Sequence, residues 1–173
     1  MSVGVVDDGG KAAGGADAGG FTGLLPVFAA PATGRVWLVA AHGGAGCTTI
    51  YRSNLEGYAD AGRALPVCDT RASRLVLCAM ATGRGLESLQ GLLAEYERGL
   101  FGSSVLVGVA VSLPVARLPR ELKRAVRLVA SASPACWVLP YVPGLVLDGF
   151  PSRYPAVYRR MAEQSAESQG RPI

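Results

Sequence analysis

The sequence predicts an α/β domain: a mostly parallel sheet of four to five strands with flanking helices. Three observations carry this. Short, almost wholly apolar runs recur at Arg35–Ala41, Arg74–Met80, Val105–Val111 and Ala135–Leu139. Strands buried on both faces read this way. Between them lie stretches whose apolar residues step by three and four, as one face of a helix does. Strand and helix signals alternate, which favours parallel pairing through right-handed crossovers.

In chain order, residues 1–30 read as a flexible leader. Eight of the first 24 residues are Gly, and such a stretch buries too little apolar area to offset its ordering entropy. Phe21–Phe28 is more apolar and can fold back onto the domain. The domain itself is placed at residues 31–150. Its first strand runs into His42-Gly43-Gly44-Ala45-Gly46, then into a helix from Cys47 that ends near Gly57. Leu65–Asp69 is a weaker strand candidate. Leu86, Leu89, Leu93, Tyr96 and Leu100 mark one helix face; Leu122, Val126 and Val129 mark another, opposite Arg120, Lys123, Arg124 and Arg127. Pro119 suits a first helical turn. Residues 151–173 are expected to hold a terminal helix, with Tyr158 and Met161 on it, and a polar tail.

Composition bounds the function. Of the 173 residues, 50% are apolar and 17% charged, so a packed core is expected. Gly and Pro together make 34 residues, without the three-residue period of collagen. The formal charge is +4, which allows attraction to nucleic acid or an anionic surface, although a solvated, arginine-rich surface is the commoner cause. Cys47, Cys68, Cys78 and Cys136 contain no Cys-x-x-Cys pair, and His42 is the only histidine, so a structural zinc site is not expected. The N-terminus is acidic without an apolar signal segment, and the longest apolar run, Val105–Ala116, falls short of a membrane span. A cytoplasmic, reduced protein with no transmembrane segment is the expectation.

The most informative segment is Ala41-His42-Gly43-Gly44-Ala45-Gly46-Cys47-Thr48-Thr49. A buried strand, glycines and a helix start in that order suit a phosphate-binding loop. Glycines let backbone N–H groups face an anion, and the helix start adds partial positive charge. Such loops usually carry a lysine for the outer phosphates and a hydroxyl for magnesium. Here the hydroxyls are present and Cys47 stands where the lysine would be. Cys47 at a helix start invites a reactive thiol, but a phosphatase loop needs five residues between Cys and Arg, and Cys47 and Arg52 are one too close.

The run HGGAGCTT resembles the deviant Walker A loop of the partition and septum-site ATPases (ParA/MinD type), KGGxGKTT. The resemblance spans roughly Arg35–Gly144 and implies a P-loop NTPase-like fold. It places Gly43, Gly44, Gly46, Cys47, Thr48 and Thr49 at a nucleotide site for ATP or GTP with magnesium, with Thr48 as a metal ligand. It sets His42 at the lysine that reaches across a nucleotide sandwich dimer, which implies a homodimer. Asp69 is the one acidic residue closing an apolar run before the midpoint, so it is the second metal candidate. The chain is also similar to a family of short actinobacterial proteins with an AHGGAG loop lacking the lysine and a Trp-x-x-Pro-Trp/Tyr-Val run, matched here by Trp137–Val142. In that family the later strand often ends in Asp-x-Pro, where this chain has Ser112-Leu113-Pro114. Its members accompany mobile elements and conjugation-type clusters.

A lysine–phosphate contact contributes roughly 1.5–3 kcal/mol, so its loss weakens binding about ten- to a hundredfold. Catalysis suffers more, because charge builds on the transferring phosphoryl group. No catalytic residue is therefore expected. The reading is a degenerate P-loop protein, a pseudo-NTPase with weak or no nucleotide binding, that works through a protein partner in a larger assembly. The alternatives are a slow ATPase or GTPase of the partition type, and a DNA-associated adaptor using the basic helix.

Overall fold

The computed structural model describes residues 23–145 and 147–168. In chain order the elements are β1 (Val27–Ala29), β2 (Val36–Ala40), α1 (Cys47–Ser53), β3 (Tyr58–Gly62), β4 (Leu65–Val67), β5 (Arg74–Met80), α2 (Gly83–Glu97), β6 (Val105–Ser112), α3 (Arg120–Ser131), β7 (Cys136–Leu139) and α4 (Ala156–Glu167). Five strands form one sheet in the order β3-β2-β5-β6-β7, and every pair is parallel. β1 and β4 make a separate two-stranded parallel sheet. The expected α/β class and mostly parallel sheet are present.

Counted along the chain, the main sheet reads 2-1-3-4-5, a doubly wound order. From β2 the chain steps outward to β3; the path from β5 through β6 to β7 runs the other way. Right-handed crossovers in opposite directions put their helices on opposite faces. Strand side chains alternate accordingly. Trp37, Val39, Leu75 and Leu77 face α2 and α3, packing with Leu86, Leu89, Val126 and Val129. Val36, Leu38, Val76 and Cys78 face α1 and α4, packing with Ile50, Tyr158 and Met161. The central strands are therefore apolar on both sides, which made them legible.

Three boundaries differ from expectation. Residues 23–30 belong to the fold: β1 pairs with β4, Leu25 is buried, and the Phe28 ring meets Trp37 edge-on at 5.8 Å. The remainder of the expected leader, residues 1–22, and the tail at 169–173 lie outside the described residues. β3 was not anticipated. It is an edge strand of small residues, Tyr-Ala-Asp-Ala-Gly, with only Tyr58 buried, so it lacks the apolar, β-branched composition of a strand signal. Finally, α4 is part of the domain. Tyr158 and Met161 are buried, Trp137 Nε1 donates to Gln164 Oε1 at 2.7 Å, and the Arg74 guanidinium donates to the Ser165 carbonyl near the helix end.

Two buried tyrosines on this α1/α4 face make a pH prediction. Burial pushes the hydroxyls of Tyr58 and Tyr158 up to about 12, against about 10 in an unfolded chain. Below pH 10 both states hold the proton and nothing changes. Between pH 10 and 12 the unfolded chain ionises while the folded chain does not, so stability falls as pH rises. Urea midpoints measured from pH 9 to 12 should drop, and the Tyr58→Phe/Tyr158→Phe variant should drop distinctly less. Parallel curves would rule these tyrosines out as the cause.

Candidate functional site

The glycine loop leaves the carboxyl end of β2, beside β5, where the strand order reverses. In open α/β sheets this switch point is where ligands bind. Ala41 N–H still donates to the Cys78 carbonyl at 2.9 Å; beyond it the chain turns away from β5. Gly44 and Gly46 take φ values of 77° and 88°, in the left-handed region that only glycine enters cheaply. Gly46 is the N-cap of α1 and brings no side chain to cap it. A Cβ on Gly46 would come within 2.9 Å of Ser112 Oγ, so this glycine serves both the turn and the close approach of β6.

His42 has a defined place. Its Nδ1 donates to the Gly43 carbonyl at 2.7 Å and its Nε2 accepts from the Met80 N–H at 2.9 Å. A backbone N–H can only donate and a carbonyl can only accept, so the neutral Nδ1–H tautomer satisfies both. The reason is local. β2 pairs with β5 only as far as Ala40 opposite Cys78, which leaves Met80 without a strand partner on that side. His42 supplies the missing acceptor and is not free to reach across to another protomer while it does so.

The other expected site residues separate. Gly43, Gly44 and Thr48 are exposed, while Gly46 and Thr49 are half-buried. Cys47, expected at the position of a phosphate-binding lysine, is instead buried in the α1/α4 core. Its thiol lies against Cys78; a hydrogen bond with Cys47, together with burial, pushes the Cys78 thiol well up. The first position of α1 points inward because the helix packs on β2 and β3. Asp69 does not join Thr48. It follows β4, which descends to the amino end of β5, whereas Thr48 follows the carboxyl end of β2. A seven-residue strand such as β5 spans about 20 Å, so the expected two-ligand magnesium site is not assembled. Among the described residues no group of three or more His, Cys, Asp or Glu could hold a metal ion. No helix among them is long and apolar enough to cross a membrane.

Beside the loop lies a cleft of about 230 Å³, floored by Gly46, Thr49 and Ser112 and walled by Met80, Tyr141 and Tyr158. Among the described residues no charged side chain lines it. The sequence marked Ser112 and Tyr141 only through a resemblance. Met80 closes an expected strand and Tyr158 lies on the expected terminal helix, but nothing in the sequence joins them, because their meeting depends on the end of β5 and the start of α4 lying near one another.

A family model, DUF6668, described as a family of unknown function, matches residues 34–159. No curated protein and no solved structure matches.

Proposed function

This chain belongs to the DUF6668 family, and on that footing we propose that it is a degenerate P-loop protein of the ParA/MinD type, a pseudo-NTPase that acts by contact with a protein partner. One observation supports this reading most: a left-handed glycine loop lies at the switch point of a doubly wound sheet, yet among the described residues no side chain there supplies a cation. His42 is committed to the Met80 N–H, and Cys47 is turned into the core. Backbone amides alone leave a nucleotide without the charge-assisted contacts that give such loops their affinity.

The apolar cleft suits a partner better than a triphosphate. Tyr141 stands at its mouth and is 41% exposed. Aromatic side chains at the rim of a small apolar pocket are typical anchors of protein contacts. The loop then holds the cleft in shape and does not turn over substrate.

Calorimetric titration with ATP and GTP, with and without magnesium, tests this. The expected affinity is no tighter than about 1 mM, a binding free energy near −4 kcal/mol. Phosphate release above background that disappears in Thr48→Ala would overturn the reading and establish the slow-NTPase alternative. Tight binding without turnover would overturn the weak-binding half alone.

A further inference from the structure

We propose that the exposed face of α3 binds double-stranded DNA through its phosphate backbone, without reading bases. The site is independent of the loop and cleft.

The argument begins with where the charge resides. Residues 117–127 contain Arg117, Arg120, Lys123, Arg124 and Arg127 against the single carboxylate of Glu121. The segment thus carries +4, the formal charge of the whole chain; the remaining twelve basic and twelve acidic residues cancel. Such concentration is the electrostatic footprint of a polyanion partner.

The fold then arranges these cations. Arg120, Lys123, Arg124 and Arg127 follow steps of three and four, so they share one side of the helix. Val126 and Val129 on the opposite side are buried in the core. All five cations are exposed. Among the described residues, the four on the helix line a hollow of about 540 Å³. The ion pair found among the described residues, Arg159 with Glu163, is elsewhere, on α4. Among the described residues the stripe therefore has no ion-pair partner, and it sits on a helix packed against the sheet.

Its chemistry favours phosphate. Three of its four cations are arginines, whose planar guanidinium matches phosphate oxygens two at a time. From Arg120 to Arg127 the helix rises about 10 Å, and that length of duplex axis carries about three phosphates per strand. No aromatic or apolar side chain lies within the stripe; Leu128 turns to the groove shared with α2. The aromatic anchors common at protein interfaces are thus missing from the stripe. A bilayer offers less as well, because Val126 and Val129 are buried in the core and Leu128 is the one large apolar side chain that α3 leaves exposed.

The test uses the full chain and a fluorescent 20-base-pair duplex of arbitrary sequence, followed by anisotropy from 50 to 200 mM salt. Four phosphate contacts predict a log–log salt slope of about −3.6, which is about a hundredfold loss of affinity over that range. Arg124→Ala/Arg127→Ala should halve the slope and reduce the loss to about tenfold. Arg159→Ala/Arg160→Ala, removing two cations from α4, should change neither. A second duplex of unrelated sequence should bind equally. The proposal is overturned if no binding occurs at 50 mM salt, or if the α3 and α4 variants weaken it alike. It is also overturned if vesicles of phosphatidylcholine and phosphatidylserine, or poly-glutamate, bind as tightly with the same dependence on Arg124 and Arg127. Melting curves confirm that the exposed substitutions leave the fold intact.

Discussion

Gly85→Ala should cost this protein about 3 kcal/mol or more of stability and lower its melting temperature by roughly 10 °C. Gly85 lies in the first turn of α2, and its N–H donates to Thr82 Oγ1 at 3.1 Å. A Cβ there would run into the Met80 carbonyl oxygen and would lie 2.8 Å from His42 Nε2 and 2.9 Å from Thr82 Oγ1. None of the three can yield cheaply. Met80 O is backbone, Thr82 caps the helix, and His42 holds the Met80 N–H. Overpacking of this kind costs about 1–3 kcal/mol, and orphaning a buried N–H adds about 1–3 kcal/mol. Against a total stability of some 5–15 kcal/mol, the effect is large. Two positions earlier, a Cβ on Gly83 meets nothing within 4 Å, so Gly83→Ala should be neutral or stabilising by up to about 1 kcal/mol through helix propensity. Thermal melts of both variants check the contrast. A Gly85→Ala protein melting within about 2 °C of the wild type would show that the junction of loop, β5 and α2 is not tightly packed.

Cys47→Lys should destabilise the protein by about 4 kcal/mol at pH 7. The resemblance to partition ATPases makes this the natural repair, since it restores the phosphate-binding lysine. The fold gives the substitution a different meaning. Residue 47 sits in a cluster with Leu38, Ile50 and Cys78, where an ammonium loses its hydration. Burial depresses a lysine by about 3–5 pH units from its usual 10.4. The folded state then prefers the neutral amine and the unfolded state the cation. Raising the pH from 7 to 10 removes most of that difference, so the variant should regain stability relative to the wild type as the pH rises. Urea midpoints at pH 7 and pH 10 measure it. A variant as stable as the wild type at pH 7, with nucleotide affinity raised ten- to a hundredfold, would show that a lysine here escapes to the loop and would restore the nucleotide site.

The two results bear on one question, what the loop is for. His42, Gly85 and Thr82 tie the end of β5 to the start of α2, and Gly46 lets Ser112 approach. These contacts shape the cleft beside the loop.

Much of this architecture was legible in the chain itself. β2, β5, β6 and β7 appear as unbroken apolar runs because a strand covered by helices on both faces has no side left for polar residues. The faces of α2, α3 and α4 appear as three- and four-residue steps, since each buries one stripe. The charge concentrated before and along α3 was equally visible. β1 and β3 were not. β1 gains its place from β4, distant in sequence, β3 is an edge strand laid on β2, and their short runs of small or partly exposed residues leave no periodic trace.

Local chemistry fixed the glycine loop: left-handed turns at Gly44 and Gly46 follow from residues that alone tolerate them. Pairing between distant residues was decided by the fold. Only the order of the strands put β5 beside β2 and gave His42 the Met80 N–H to accept from. Only the descent of β4 carried Asp69 to the far end of the sheet, and only the docking of α1 turned Cys47 into the core. Periodicity records which side of an element is buried, because burial selects composition residue by residue. It does not record which other element does the burying, and that is what determines whether two reactive groups meet.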